Sequence, residues 1–257
     1  MPMSDTDNPI SLSVVIPAYN EEQNVVPVLE ETSRVLSTAP EVGSFEIIVV
    51  NDGSTDTTAS RAEEYATRKS NIRVLHHAVN CGIGAALKTG YAAARGHWVT
   101  ATCADGEASV GDVVELVKLA RNVDLVVSRR QRQPGSARRQ LFTRGFHAFT
   151  TLLVGFNISG MEGLYVIRRD LLKQLVLRSD TSLLNLEIIM QCVTRGYRLA
   201  HGEIHVRPRL SGQSKMATWR SILKVIIEMV KFRWFLICAR IQGSRPKATG
   251  AGTFGRP

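Results

Sequence analysis

The chain has 257 residues, 44% hydrophobic and 21% charged, which suits one large α/β domain with a sizeable core and excludes an intrinsically disordered polypeptide. Its net charge of +9 and pI of about 9.7 call for an anionic partner: nucleotide phosphates, anionic lipid or nucleic acid. Four scattered cysteines, Cys81, Cys103, Cys192 and Cys238, form no C-x-x-C pair, which argues against a zinc motif or disulfide framework and for a reducing cytoplasm.

Residues 1–10 read as a disordered N-terminus, and MPMSDTDNP lacks the basic-then-apolar pattern of a signal peptide. Beyond them, β-branched apolar runs alternate with amphipathic stretches. Strands are expected near 12–16, 45–50, 72–76, 97–102 and 124–128, and helices near 21–37, 56–68, 83–95 and 109–120. This rhythm predicts a mostly parallel twisted sheet with helices on both faces. After Val127 the character changes, because residues 125–161 hold no acid and include Arg129, Arg130, Arg132, Arg138, Arg139 and Arg144. Residues 129–138 read as a mobile basic loop and 139–153 as a helix. A strand near 164–167, helices near 170–176 and 183–194, and strands near 197–199 and 203–207 complete a domain spanning 11–217. Residues 218–241 form an apolar stretch broken by Arg220, Lys224, Glu228, Lys231, Arg233 and Arg240, and 242–257 a Gly- and Pro-rich disordered tail.

Two strands end in turn chemistry: SVVIPAYNEE from Ser13 to Glu22, and FEIIVVNDGS from Phe45 to Ser54. Buried parallel strands ending this way place a binding site at their carboxyl tips. The pair resembles the start of the inverting glycosyltransferases of family 2, which have the GT-A fold. The resemblance continues through Asn80–Gly90 (NCGIGAALKTG), Asn157–Arg169 (NISGMEGLYVIRR) and Arg209–Lys215 (RLSGQSK), and covers about residues 11–216. It implies a single GT-A-like domain binding a nucleoside-diphosphate sugar, GDP- or UDP-linked. Pro17, Tyr19, Glu21, Asp52, Asn80 and Gly82 would line the nucleotide pocket, and Gly53 would let the backbone turn closely around it.

The family's metal motif, Asp-x-Asp, falls on Cys103, Ala104 and Asp105, with Glu107 where Gln is common. Asp105 matches the second aspartate and Cys103 replaces the first. A hard ion such as Mg²⁺ prefers oxygen, and Mn²⁺ tolerates softer ligands better. Either Asp105 and Glu107 hold the metal, at a site weakened by Cys103, or the basic loop carries more of the stabilisation of the diphosphate. An Asp-Gly turn capped by Ser109 is also expected there. Asn157 stands where the family has Asp. Glu187 either orients acceptor or sugar, or complements its helix dipole. Arg129, Arg209 and Lys215 would bind phosphates.

Trp219–Ile241 suits a helix in the headgroup layer, basic side outward, with Trp219 and Trp234 as interfacial anchors. Packing in the core or at a dimer interface is the other reading. The arrangement resembles family members that glycosylate polyprenyl phosphates. The expected activity is transfer of a hexose from a nucleotide-sugar to polyprenyl phosphate, at the inner face of the membrane. Two alternatives stand: a same-fold enzyme acting on a soluble hydroxyl acceptor with Glu187 as base, and a nucleotide-sugar-binding protein with weakened catalysis. No nucleic-acid-binding signature is present.

Overall fold

The computed structural model describes residues 10–130, 164–204, 207 and 227–228. Seven strands form one sheet in the order β3-β2-β1-β4-β6-β5-β7. They are β1 (Ile10–Ala18), β2 (Val42–Asp52), β3 (Ile72–His77), β4 (Trp98–Ala101), β5 (Leu125–Arg130), β6 (Tyr165–Arg168) and β7 (Leu199–Ile204). The helices are α1 (Val25–Thr38), α2 (Thr58–Thr67), α3 (Ile83–Ala93), α4 (Val110–Leu119), the single turn α5 (Arg169–Leu172) and α6 (Leu183–Thr194).

The pairings β1–β2, β2–β3, β1–β4 and β5–β7 are parallel. β6 is antiparallel to both β4 and β5. This mixed GT-A-like sheet bears out the expected architecture. The direction of β6 follows from its ends: β5 finishes at the carboxyl edge and β6 starts at that same edge, with Val127 paired to Tyr165, so β6 runs back.

Period-two alternation assigns each strand's side chains to two cores. Leu12, Val14 and Ile16 of β1 join Ile47, Val49, Val126 and Val166 on the face covered by α1 and α4. Val15, Ile48, Val50, Leu125, Val127, Tyr165 and Ile167 face α3 and α6 instead. β1 and β2 read as nearly unbroken apolar runs because they are covered on both faces. Each helix contributes a stripe; in α1 this is Val25, Val28, Leu29, Thr32 and Leu36.

Several boundaries differ from expectation. α1 begins at Val25, not near 21, because Asn20, Glu21 and Glu22 are bound into a loop. The basic run starts inside a strand, since Arg129 and Arg130 end β5; the rest of the expected loop and the helix at 139–153 lie outside the described residues. The helix expected over 170–176 is the single turn α5. The two short strands expected near 197–199 and 203–207 are the one strand β7, paired along β5. Ser109 does cap α4, accepting from Gly111 N–H at 3.2 Å.

Candidate functional site

All strands except β6 end at one edge of the sheet. After β1 the chain builds outward through β2 and β3, then crosses to β4 on the other side of β1. In open α/β sheets such a reversal marks where a ligand crevice is expected, here at the carboxyl ends of β1 and β4, whereas the cavity lined by Ser11, Phe45, Glu46, Asn71, Arg73 and Arg95 lies at the opposite edge. Pro17 and Tyr19 lie at the end of β1, Asp52 and Gly53 at the end of β2, and Cys103 to Glu107 follow β4.

The loops after β1 and β2 are fastened to each other. Asn20, at φ 53°, accepts from Thr55 N–H at 2.8 Å, and its own N–H donates to Ser54 Oγ at 3.0 Å. Glu21 N–H donates to Thr58 Oγ1 at 2.7 Å. Glu22 Oε2 accepts from Thr57 Oγ1 at 2.7 Å, and Glu22 N–H donates to Asp56 Oδ2 at 3.2 Å. Much of the NEE and GSTD sequence therefore holds the rim in shape. Glu21, expected at the nucleotide, has its carboxylate on Asn24 Nδ2 at 2.7 Å.

Asp52 is 3% exposed, and a buried carboxylate needs donors. Oδ1 accepts from Cys81 N–H at 2.9 Å and pairs with His77 Nδ1 at 2.7 Å, while Oδ2 accepts from Gly82 N–H at 2.9 Å. Asp52 thus fixes the β3–α3 loop that carries exposed Asn80. His77 Nε2 lies 2.9 Å from Thr89 Oγ1 on α3. Gly53 has φ +67°, and a Cβ there would stand 2.3 Å from the Val79 carbonyl carbon, so only glycine lets these two loops touch. In α3, Gly90 packs where a Cβ would lie 2.2 Å from Val15 Cγ1. That part of the NCGIGAALKTG pattern therefore serves helix–sheet packing.

His77 was not legible as a site residue. Its only sequence signal is a polar residue ending a strand, and it meets Asp52 only through the β2–β3 register. The spacing of the cysteines gave no metal motif either. Yet among the described residues, Asp52, His77 and Cys81 are the trio whose ligand atoms lie within 4.8 Å of one another.

Across the crevice, Thr102 N–H continues the β1–β4 ladder to Val15 O at 3.0 Å. The chain then turns at Gly106, with φ +73°. Asp105 is 8% exposed, and its Oδ1 accepts from Glu107 N–H at 3.1 Å. Glu107 and Cys103 are half-buried. Two carboxylates on one tight turn are a donor set that fits a hard divalent cation; the neighbouring thiol does not add to it. Arg207 N–H donates to Glu107 O at 2.9 Å, so the segment after β7 starts against this turn. The Arg207 guanidinium reaches Glu31 at 2.9 Å.

Arg129 is exposed near the carboxyl end of β5. Burial, then the charge of Arg129, hold the His201 imidazole below its ordinary pKa. Glu187 sits in α6 at 1% exposure. Its Oε2 accepts from Arg178 N–H at 2.9 Å and Ser179 N–H at 3.1 Å, while Oε1 is buried without a hydrogen-bond partner among the described residues. Burial raises its pKa against the lowering effect of those N–H groups. The loop it holds also meets α3: Asp180 O accepts from Gly84 N–H at 3.0 Å, and Asp180 Oδ1 from Lys88 Nζ at 2.7 Å. Glu228 accepts from Thr181 Oγ1 on the same loop at 2.6 Å.

Asn157, Arg209, Lys215 and most of 218–241 lie outside the described residues. Among the described residues, no helix is long and apolar enough to cross a membrane.

Residues 13–176 match the family model described as Glycosyl transferase family 2. A dolichyl-phosphate beta-glucosyltransferase of Trichomonas vaginalis is 31% identical over 235 residues, covering 81% of this chain and 71% of that protein. A dodecaprenyl-phosphate galacturonate synthase of Rhizobium johnstonii is 27% identical over 248 residues, covering 91% of this chain and 71% of that one. Among solved structures, glucosyl-3-phosphoglycerate synthase from Mycobacterium tuberculosis, in complex with phosphoglyceric acid, superposes with TM-score 0.64 at 24% identity, covering 87% of this chain and 80% of that one. That likeness bears on the fold.

Proposed function

The chain belongs to glycosyl transferase family 2 and is a glycosyltransferase, and from that premise we propose that it moves a hexose from a nucleoside-diphosphate sugar to polyprenyl phosphate, inverting the anomeric centre. The observation that carries this reading is the hydrogen bond from Arg207 N–H to Glu107 O at 2.9 Å. It sets the start of the basic run Arg207–Lys215 against the carboxylate turn of Asp105, at the mouth of the switch-point crevice. A diphosphate leaving group and a lipid phosphate both carry charge that such a place would bind. The names of the sequence relatives support the same acceptor.

In this reading the base and ribose lie toward Pro17, Tyr19 and the Asp52-braced loop of Asn80 and Gly82. Asp105 and Glu107 would hold Mg²⁺ or Mn²⁺, which neutralises the diphosphate when bound. Arg129, Arg209 and Lys215 bind phosphate oxygens of donor and acceptor and align them for in-line displacement. The acceptor oxygen forms its bond to the anomeric carbon as the bond to the diphosphate breaks, and the electron pair leaves with the nucleotide. A phosphate acceptor is already ionised at neutral pH, so no general base is required. That agrees with the burial of Glu187, whose carboxylate braces a loop and faces no solvent. We place the protein at the cytoplasmic face of a membrane, through residues 218–241.

The test is a donor-consumption screen over GDP- and UDP-sugars with polyprenyl phosphate or phosphoglyceric acid as acceptor, in Mg²⁺, Mn²⁺ or chelator. The proposal expects consumption that depends on the lipid phosphate. Equal or greater turnover with the soluble acceptor alone would overturn it in favour of a soluble-acceptor enzyme. Saturable donor binding without turnover on any acceptor would leave a binding protein.

A further inference from the structure

We infer that Asp52, His77 and Cys81 form a second metal site, of different chemistry from the carboxylate turn at Asp105, which takes a borderline ion of the Zn²⁺ class at the β2–β3 end of the crevice. The fold brings together a carboxylate, an imidazole and a thiol whose ligand atoms lie within 4.8 Å of one another. Oxygen, nitrogen and sulfur in one set select against Mg²⁺ and for zinc or its chemical relatives. None of the three belongs to the pair proposed for the diphosphate ion.

The geometry is close to what such an ion needs. With bonds of about 2.0–2.3 Å, tetrahedral ligand atoms stand roughly 3.3–3.8 Å apart. Asp52 Oδ1 and His77 Nδ1, now 2.7 Å apart, must separate by roughly 0.6 Å to reach the short end of that range, which applies to an oxygen–nitrogen pair. Cys81 is exposed and, among the described residues, its Sγ is held by Val79 O alone, at 3.3 Å, so the thiol can turn toward the pair. The two deeper ligands are positioned already: Asp52 by two backbone N–H groups, His77 by Thr89.

Thr89 is the supporting partner a metal-bound histidine uses. Its hydroxyl can donate to Nε2 or accept from it, so the ring can carry its proton on Nε2 and offer Nδ1 to the ion without losing that contact. Binding therefore releases the thiol proton and any proton held between His77 and Asp52. The bound ion would lock the strand tips of β2 and β3 to the loop that opens α3.

The probe is Co²⁺, added to the reduced, chelator-stripped full chain and read by absorption. The expected result is a thiolate-to-cobalt charge-transfer band that saturates at one equivalent and that Zn²⁺ abolishes. Cys81→Ser, at an exposed position, should remove the band while far-ultraviolet circular dichroism stays unchanged. Thr89→Val should weaken affinity about 10- to 100-fold. Cys103→Ser and Asp105→Asn should keep the band. No thiolate band with the unmodified chain, or a band that survives Cys81→Ser and disappears in Cys103→Ser, would overturn the inference. The readout does not involve turnover, so its failure is separate from failure of the transferase proposal.

Discussion

Asp105 offers a carboxylate, beside that of Glu107, on the turn that follows β4, so its charge is the one the proposed chemistry can least do without. Asp105→Asn keeps the shape and removes the charge. It is expected to lower turnover at least about tenfold, equivalent to about 1.4 kcal/mol of barrier; turnover at the unmodified rate in Mg²⁺ would remove the metal assignment. Cys103→Asp restores a hard ligand and should leave activity intact or raise it, most clearly at low Mg²⁺, as read from the metal dependence of kcat. Gly53 makes a purely conformational contribution. Gly53→Ala sets a Cβ against the Val79 and Asn80 backbone at positive φ, and should cost about 1–3 kcal/mol in urea unfolding. Unchanged stability would mean that the two loops do not meet as described.

At the scale of elements, the strand tips are tied together by side chains that the sequence presents as motif residues. The runs SVVIPAYNEE and VVNDGS were legible because two buried strands ending in turn chemistry leave a strong local signal. Their internal assignments were less legible, because Glu21, Asn20 and Asp52 spend their hydrogen bonds on neighbouring loops, and those partners come from tertiary contact. The same holds for Glu187, whose burial in α6 depends on how the 178–181 loop folds over it. Its folded pKa is raised, so the native protein holds that proton more tightly than the unfolded chain. The resulting stability is fully present below the ordinary value of 4.5 and is lost as pH rises through the raised folded value. Unfolding midpoints of the unmodified chain should therefore fall relative to Glu187→Gln as pH rises from 4.5 toward neutrality. Parallel pH profiles for the two proteins would show that Glu187 does not titrate abnormally. Glu46 has the opposite sign. Burial pushes its pKa up, but hydrogen bonds from Ser13, Arg95 N–H and Arg73, with the charge of Arg73, outweigh burial and hold it below 4.5. Its contribution is present above 4.5 and lost as pH falls through its depressed folded value.

At the scale of the molecule, hydrophobic alternation sufficed to place the sheet, its two covered faces and the edge where the site lies. The antiparallel course of β6 and the trio of Asp52, His77 and Cys81 were not legible, because both follow from which strands become neighbours. Residues 218–241 enter as a proposal about where the enzyme works. Truncation after residue 217 should abolish co-flotation with anionic phospholipid vesicles and lower transfer to vesicle-embedded polyprenyl phosphate; flotation retained at the full-chain level would place membrane contact elsewhere. The proposed transferase function requires the carboxyl edge between β1 and β4 to hold the nucleotide of an activated sugar. A crystal structure of the chain with a nucleoside diphosphate and Mn²⁺, at concentrations that calorimetry shows to be saturating, tests it most directly. Diphosphate is expected beside Asp105 and Glu107, with the base toward Pro17 and the Asp52 loop; a nucleotide bound anywhere else at saturation would rule out this site.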